Sequence, residues 1–193
     1  MIIGITGGTG CGKTTLLDLI RDRGGLVLDC DAIYHELLRT DASLLHTIEN
    51  RFPGTVENRQ LQRKKLGSIV FADSAALEDL NRITHSAITA EVLRQLESQP
   101  KLAAIDAIAL FESGLDRLCD VTVAITAPTE DRVHRLMARD GISENYARSR
   151  IAAQPSNEDF SARCDYTLEN SGEIHVFQSN CLAFLREIGI MEP

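Results

Sequence analysis

A chain of 193 residues has room for one compact α/β domain with insertions and a substantial core. Its 44% apolar and 25% charged content are ordinary for a globular protein, and a net charge of −8 excludes broad electrostatic adhesion to nucleic acid or an anionic membrane. No apolar stretch approaches the ~18 residues of a membrane span, and the chain opens without a charged-then-apolar leader, so a cytoplasmic protein is expected.

The first element is the apolar run Ile2-Ile3-Gly4-Ile5, read as a buried strand. Directly behind it stands Gly7-Gly8-Thr9-Gly10-Cys11-Gly12-Lys13-Thr14-Thr15, which fits G-x-x-x-x-G-K-[ST] with Gly7 and Gly12 as the fixed glycines. A helix is predicted from about Lys13 to Arg23, ended by Gly24-Gly25. Glycine lets several backbone N–H groups converge on polyphosphate oxygens, and the helix N-terminus adds partial positive charge. Residues Gly8, Gly10, Cys11, Gly12, Lys13, Thr14 and Thr15 therefore read as a nucleoside-triphosphate site. Lys13 is expected to reach the β- and γ-phosphates, and the Thr14 hydroxyl to ligate Mg²⁺.

A second strand, Leu26–Leu28, runs into Asp29-Cys30-Asp31. Ligands of open α/β sheets sit at that carboxyl edge. Two readings stand for Asp31: a carboxylate that orients an acceptor hydroxyl and accepts its proton, or the N-cap of a helix over Ala32–Leu38. The phosphate loop favours the first. Residues 33–99 carry helical pattern over more length than one crossover needs, which predicts a helical insertion for the acceptor. Arg63-Lys64-Lys65 and His85 are its notable polar groups. A third strand, Leu102–Ile105, ends at Asp106, a carboxylate suited to organising Mg²⁺, and Glu112 follows. After a fourth strand, Val121–Ile125, the stretch 131–160 is arginine-rich with Asp140-Gly141 in its middle, and is predicted to be two helices forming a lid. Arg132, Arg135 and Arg139 share one helical face there. A guanidinium stabilises charge developing on a transferring phosphoryl group, and Arg139, next to the turn, is the first choice. A fifth strand, Tyr166–Leu168, and a closing helix over 173–190 complete the chain. The five cysteines are widely spaced without C-x-x-C, which predicts reduced thiols and no zinc site.

Together these residues resemble the dephospho-CoA kinases, over nearly the whole chain. The resemblance rests on Gly4 to Thr14, Asp29-Cys30-Asp31-Ala32-Ile33 with His35 and Leu37, and Leu61 to Leu66 with Val70-Phe71. It continues through Leu80 to His85, Asp106 to Glu112, Arg135 to Ile142, Arg150-Ile151 with Gln154, and Asp165 with Asn170. It implies a P-loop NTPase fold of three α/β/α layers around a five-stranded parallel sheet, with a core (1–32, 100–130, 161–193), a helical CoA-binding insertion (33–99) and a lid (131–160). It also implies transfer of a phosphoryl group from ATP, with Mg²⁺, to the ribose 3′-hydroxyl of dephospho-CoA. Asp31 aligns with the family's proposed base; Arg63, His85 and Glu112 fall in motifs on the acceptor side. Small-molecule substrates are the expected partners, with no nucleic acid, membrane or obligate protein partner. The chain departs from the family's usual pattern at Cys11, at Ser86, and at Ile108, which stands where D-x-P-L-L-F-E has proline. A kinase of the same fold acting on a nucleoside or nucleotide is the alternative.

Overall fold

In chain order the elements are β1 (Ile2–Thr6), α1 (Lys13–Arg21), β2 (Leu26–Asp29), α2 (Cys30–Thr40), α3 (Ala42–Arg51), β3 (Val56–Glu57), β4 (Gln60–Leu61), α4 (Arg63–Val70) and α5 (Ser74–Leu96). They continue with β5 (Ala103–Asp106), β6 (Val121–Thr126), α6 (Thr129–Asp140), α7 (Glu144–Ala152), α8 (Asn157–Ser161), β7 (Tyr166–Glu169) and α9 (Ile174–Glu187). The structure, a computed structural model, describes residues 1–191. Each of the five apolar runs forms a strand, and together they make one parallel sheet in the order β2-β5-β1-β6-β7. Such short continuous apolar runs suit strands covered on both faces.

The chain divides into two compact units, Met1–Val27 with the residues from Pro100 onward, and Leu28–Gln99. In the first, Ile3, Ile5, Val123 and Ile125 of the sheet pack with Leu16 and Ile20 of α1 and Phe177, Phe184 and Leu185 of α9. Register sets the chemistry of the sheet edge: Ile5 pairs with Asp106 on one side and Val123 on the other, so Asp106 ends β5 where β1 turns into the glycine loop. In the same unit Val133 and Leu136 of α6 meet Ala147 and Ile151 of α7 in a small core of their own. Gly141 (φ 64°) ends α6 in the left-handed conformation that glycine accepts most easily, and the Ser143 side chain caps α7.

The second unit builds its core from Leu44, Ile48, Phe52, Leu66, Val70 and Ala76. Aspartates start three of its four helices: Asp29 caps α2, Asp41 caps α3 and Asp73 caps α5, each accepting from a backbone N–H of the first turn. Asp29 is thus the cap, and Asp31 lies inside the first turn of α2. The all-helical expectation for this segment needs one correction. Between α3 and α4, β3 and β4 form an antiparallel hairpin whose turn residues, Asn58 (φ 51°) and Arg59 (φ 62°), are both left-handed. Such primed turns are usually announced by Asn-Gly, and Arg59 in the second place hides the signal. The first helix also stops at Arg21, short of the expected Arg23. Among the described residues no helix is long and apolar enough to cross a membrane.

Candidate active site

The loop after β1 carries glycines where side chains have no room. Gly12 is the N-cap of α1 at φ 91°, and a Cβ there would stand 2.2 Å from Asn170 Nδ2. A Cβ on Gly8 would stand 2.2 Å from the Arg132 guanidinium. Unlike α2, α3 and α5, α1 has no side-chain cap, and its first turn holds no acidic residue. Its N-terminal N–H groups and partial positive charge are therefore left to an anion. Lys13 spans the loop: Nζ donates to the Gly7 carbonyl at 3.0 Å and lies 3.8 Å from Asp106, both side chains being mostly buried. Thr14, in the first turn of α1, is exposed.

These residues fit Mg²⁺ and a nucleoside triphosphate. Mg²⁺ at such sites keeps its waters, takes substrate phosphate oxygens and needs one or two protein ligands. The exposed Thr14 hydroxyl, with Asp106 beside Lys13, meets that demand. Among the described residues no group of three or more His, Cys, Asp or Glu is arranged to hold a metal by itself.

Two arginines of the expected stripe hold the loop. Arg132 is 3% exposed; its Nε donates to the Thr9 carbonyl at 2.9 Å and its Nη2 to Gln154 Oε1 at 3.3 Å. Gln154 Oε1 also accepts from the Thr9 N–H at 2.8 Å. Arg135 donates to the Gly10 carbonyl at 3.3 Å and to the Asn170 carbonyl at 3.1 Å, while buried Asn170 donates to the Cys11 carbonyl at 2.8 Å. Burial pushes the Cys11 thiol up, against the opposing charges of Arg132, Lys13 and Arg135.

Arg139 is employed differently. Its guanidinium forks onto Asp140, at 2.6 and 3.0 Å, and Arg150 meets the same carboxylate at 2.8 Å. Glu112 is exposed and ion-paired with Arg163, which also lies 4.3 Å over the Phe111 ring. In the second unit Asp31 is exposed, Arg63 begins α4 and meets His35 Nδ1 at 3.2 Å, and His85 is half-buried on α5. The structure thus gathers the triphosphate residues, Asp106, Arg132 and Arg135 around one loop, and joins Arg63 to His35. The roles of Gln154 and Asn170 were not legible from local pattern, because their loop contacts lie 145 and 159 residues away in sequence.

A parallel sheet with an uncapped helix N-terminus behind G-x-x-x-x-G-K-[ST] defines a phosphoryl-transfer protein of the P-loop kinase class. The family model described as dephospho-CoA kinase matches residues 1–175. A dephospho-CoA kinase of Symbiobacterium thermophilum is 37% identical over 90% of this chain and 75% of its own. A crystal structure of TT1252 from Thermus thermophilus superposes with a TM-score of 0.82 at 32% identity, covering 97% of each chain. The dephospho-CoA kinase from Campylobacter jejuni does so with a TM-score of 0.69 at 28% identity, covering 98% of each. The chain belongs to the dephospho-CoA kinase family, and its reaction is the ATP-dependent phosphorylation of dephospho-CoA in coenzyme A biosynthesis.

Proposed function

We propose that this chain divides that reaction between its two units. The donor is held by Gly8, Gly10, Cys11, Gly12, Lys13, Thr14 and Thr15, and the acceptor ribose 3′-hydroxyl is served by Asp31. The observation that carries the donor half is the uncapped N-terminus of α1 with Lys13 held between the Gly7 carbonyl and Asp106. Backbone N–H groups and Lys13 bind and orient the triphosphate without reorganising as charge develops. Mg²⁺, when bound through Thr14, neutralises charge on the phosphate oxygens. Asp31 accepts a hydrogen bond from the 3′-hydroxyl and takes its proton as the oxygen attacks. Its place supports this, since the capping work at the start of α2 is done by Asp29, which leaves the Asp31 carboxylate exposed.

Residues 33–99 serve as the acceptor-binding part, with Arg63 and His85 in it, and Glu112 contributes from the core. Residues 131–160 serve as the lid. Arg139 reaches the transferring group once it releases Asp140, while Arg132 and Arg135 keep the loop in shape. The protein works in the cytoplasm on small molecules alone. Asp31→Asn is expected to lower kcat by about 10²-fold, the usual scale of general-base effects, with the KM for ATP unchanged in a coupled ADP assay. Near-normal turnover would remove Asp31 from the role.

A further inference from the structure

An acidic protein has collected positive charge around one cleft of its second unit. The cleft, about 590 Å³, is lined by His35 and Arg39 of α2, Arg59 of the hairpin turn and Arg63 of α4, with Leu38 and Leu61 as its apolar lining and no acidic residue. The two neighbouring carboxylates are both paired, one with a residue outside the lining and one with Arg39 of the lining. Glu57 pairs with Lys65, and Glu36 with Arg39 at 3.1 Å. Arg59 and Arg63 have no ion pair among the described residues, and Arg63 instead meets His35 at 3.2 Å. Two guanidinium groups and a histidine thus face one space with no protein anion to answer them. In a chain of net charge −8 that is a local reversal of the field.

Arg59 is held there at a backbone cost. It and Asn58 are left-handed at φ 62° and 51°, a conformation that bulky residues rarely adopt. Glycine would relieve the strain at position 59. Strain that persists at a ligand-facing residue points to use of its side chain.

We infer that this cleft takes the diphosphate of the acceptor, and that Arg59 is an affinity-determining residue within it. The inference rests on the acceptor reading of Asp31 and Arg63. Helix α2 relates the two: Asp31, His35 and Arg39 recur every four residues and so share one face. At 1.5 Å rise per residue, His35 stands about 6 Å and Arg39 about 12 Å along the axis from Asp31. Dephospho-CoA carries its 3′-hydroxyl and its 5′-diphosphate on one ribose. A helix face that offers a carboxylate at one end and cations further along suits that pairing. Guanidinium groups match diphosphate oxygens through paired N–H donors.

The test is titration calorimetry of dephospho-CoA, adenosine and inorganic pyrophosphate, with the phosphate loop filled by a non-hydrolysable ATP analogue. Arg59→Gly and Arg63→Ala are compared with the unaltered chain. Arg59→Gly is expected to weaken dephospho-CoA and pyrophosphate binding about 10-fold or more, the scale of one lost charge-assisted contact. Adenosine, which lacks the diphosphate, is expected to bind unchanged. The same variant is expected to melt at higher temperature, because the left-handed turn is then occupied by glycine. A merely structural Arg59 would give the melting shift without the loss of affinity. Unchanged dephospho-CoA affinity in Arg59→Gly beside weakened affinity in Arg63→Ala would overturn the role of Arg59 and keep the acceptor reading. Unchanged affinity in both would overturn the two together.

Discussion

Arg132 is the most constrained charged residue of the donor side. Buried beside the glycine loop, it bonds the Thr9 carbonyl and shares Gln154 Oε1 with the Thr9 N–H. Its partners are neutral, so its charge has no carboxylate answer among the described residues, and a triphosphate on the loop would supply one. Losing a hydrogen bond that involves a charged group costs about 1.5–3 kcal/mol. Arg132→Ala is therefore expected to raise the KM for ATP by about 10-fold or more in steady-state assays, with acceptor KM little changed. An unaltered ATP KM would reduce Arg132 to a packing role. Lys13 and Thr14 were legible from the motif alone, because backbone geometry dictates their spacing. The arginine stripe was legible as a stripe; which member faces the loop was not. Arg132 and Arg135 turn to the loop, whereas Arg139 finds Asp140 next to it in sequence.

At the scale of elements, the α6–α7 pair is tied at its turn by one carboxylate. Hydrogen bonds from Arg139, then Arg150, hold the Asp140 carboxyl down to about 2. A depressed carboxylate stabilises the fold above its unfolded pKa, and the stabilisation disappears as pH falls through the folded value. The tie is thus intact above the ordinary aspartate value of 3.8 and lost between there and about 2. Hydrogen exchange in α6 and α7 is expected to rise over that window, and Asp140→Asn is expected to show the looser state already at neutral pH. Equal protection in variant and parent would contradict the tie. The five strands were legible because each is a short apolar run. The hairpin was not, since Arg59 occupies the place where glycine would have marked the turn.

The whole molecule is two compact units with separate cores, one sheet-based and one helical. Its charge follows that division. The donor loop uses backbone N–H groups and a lysine, and the second unit gathers arginines around one cleft within a chain of net charge −8. Positive charge is thus concentrated locally on a chain that is negative as a whole. The division was legible as excess length between the second and third strands. Asp31 was legible as either a base or a helix cap, and the structure gives the cap to Asp29. The central claim is a phosphoryl transfer to one particular oxygen. Its most direct test is ³¹P NMR of the products after incubation with ATP, Mg²⁺ and dephospho-CoA. The account predicts a new phosphomonoester resonance coupled to the ribose 3′ position, growing with ADP and absent without Mg²⁺. ADP release with no 3′-phosphate would contradict it.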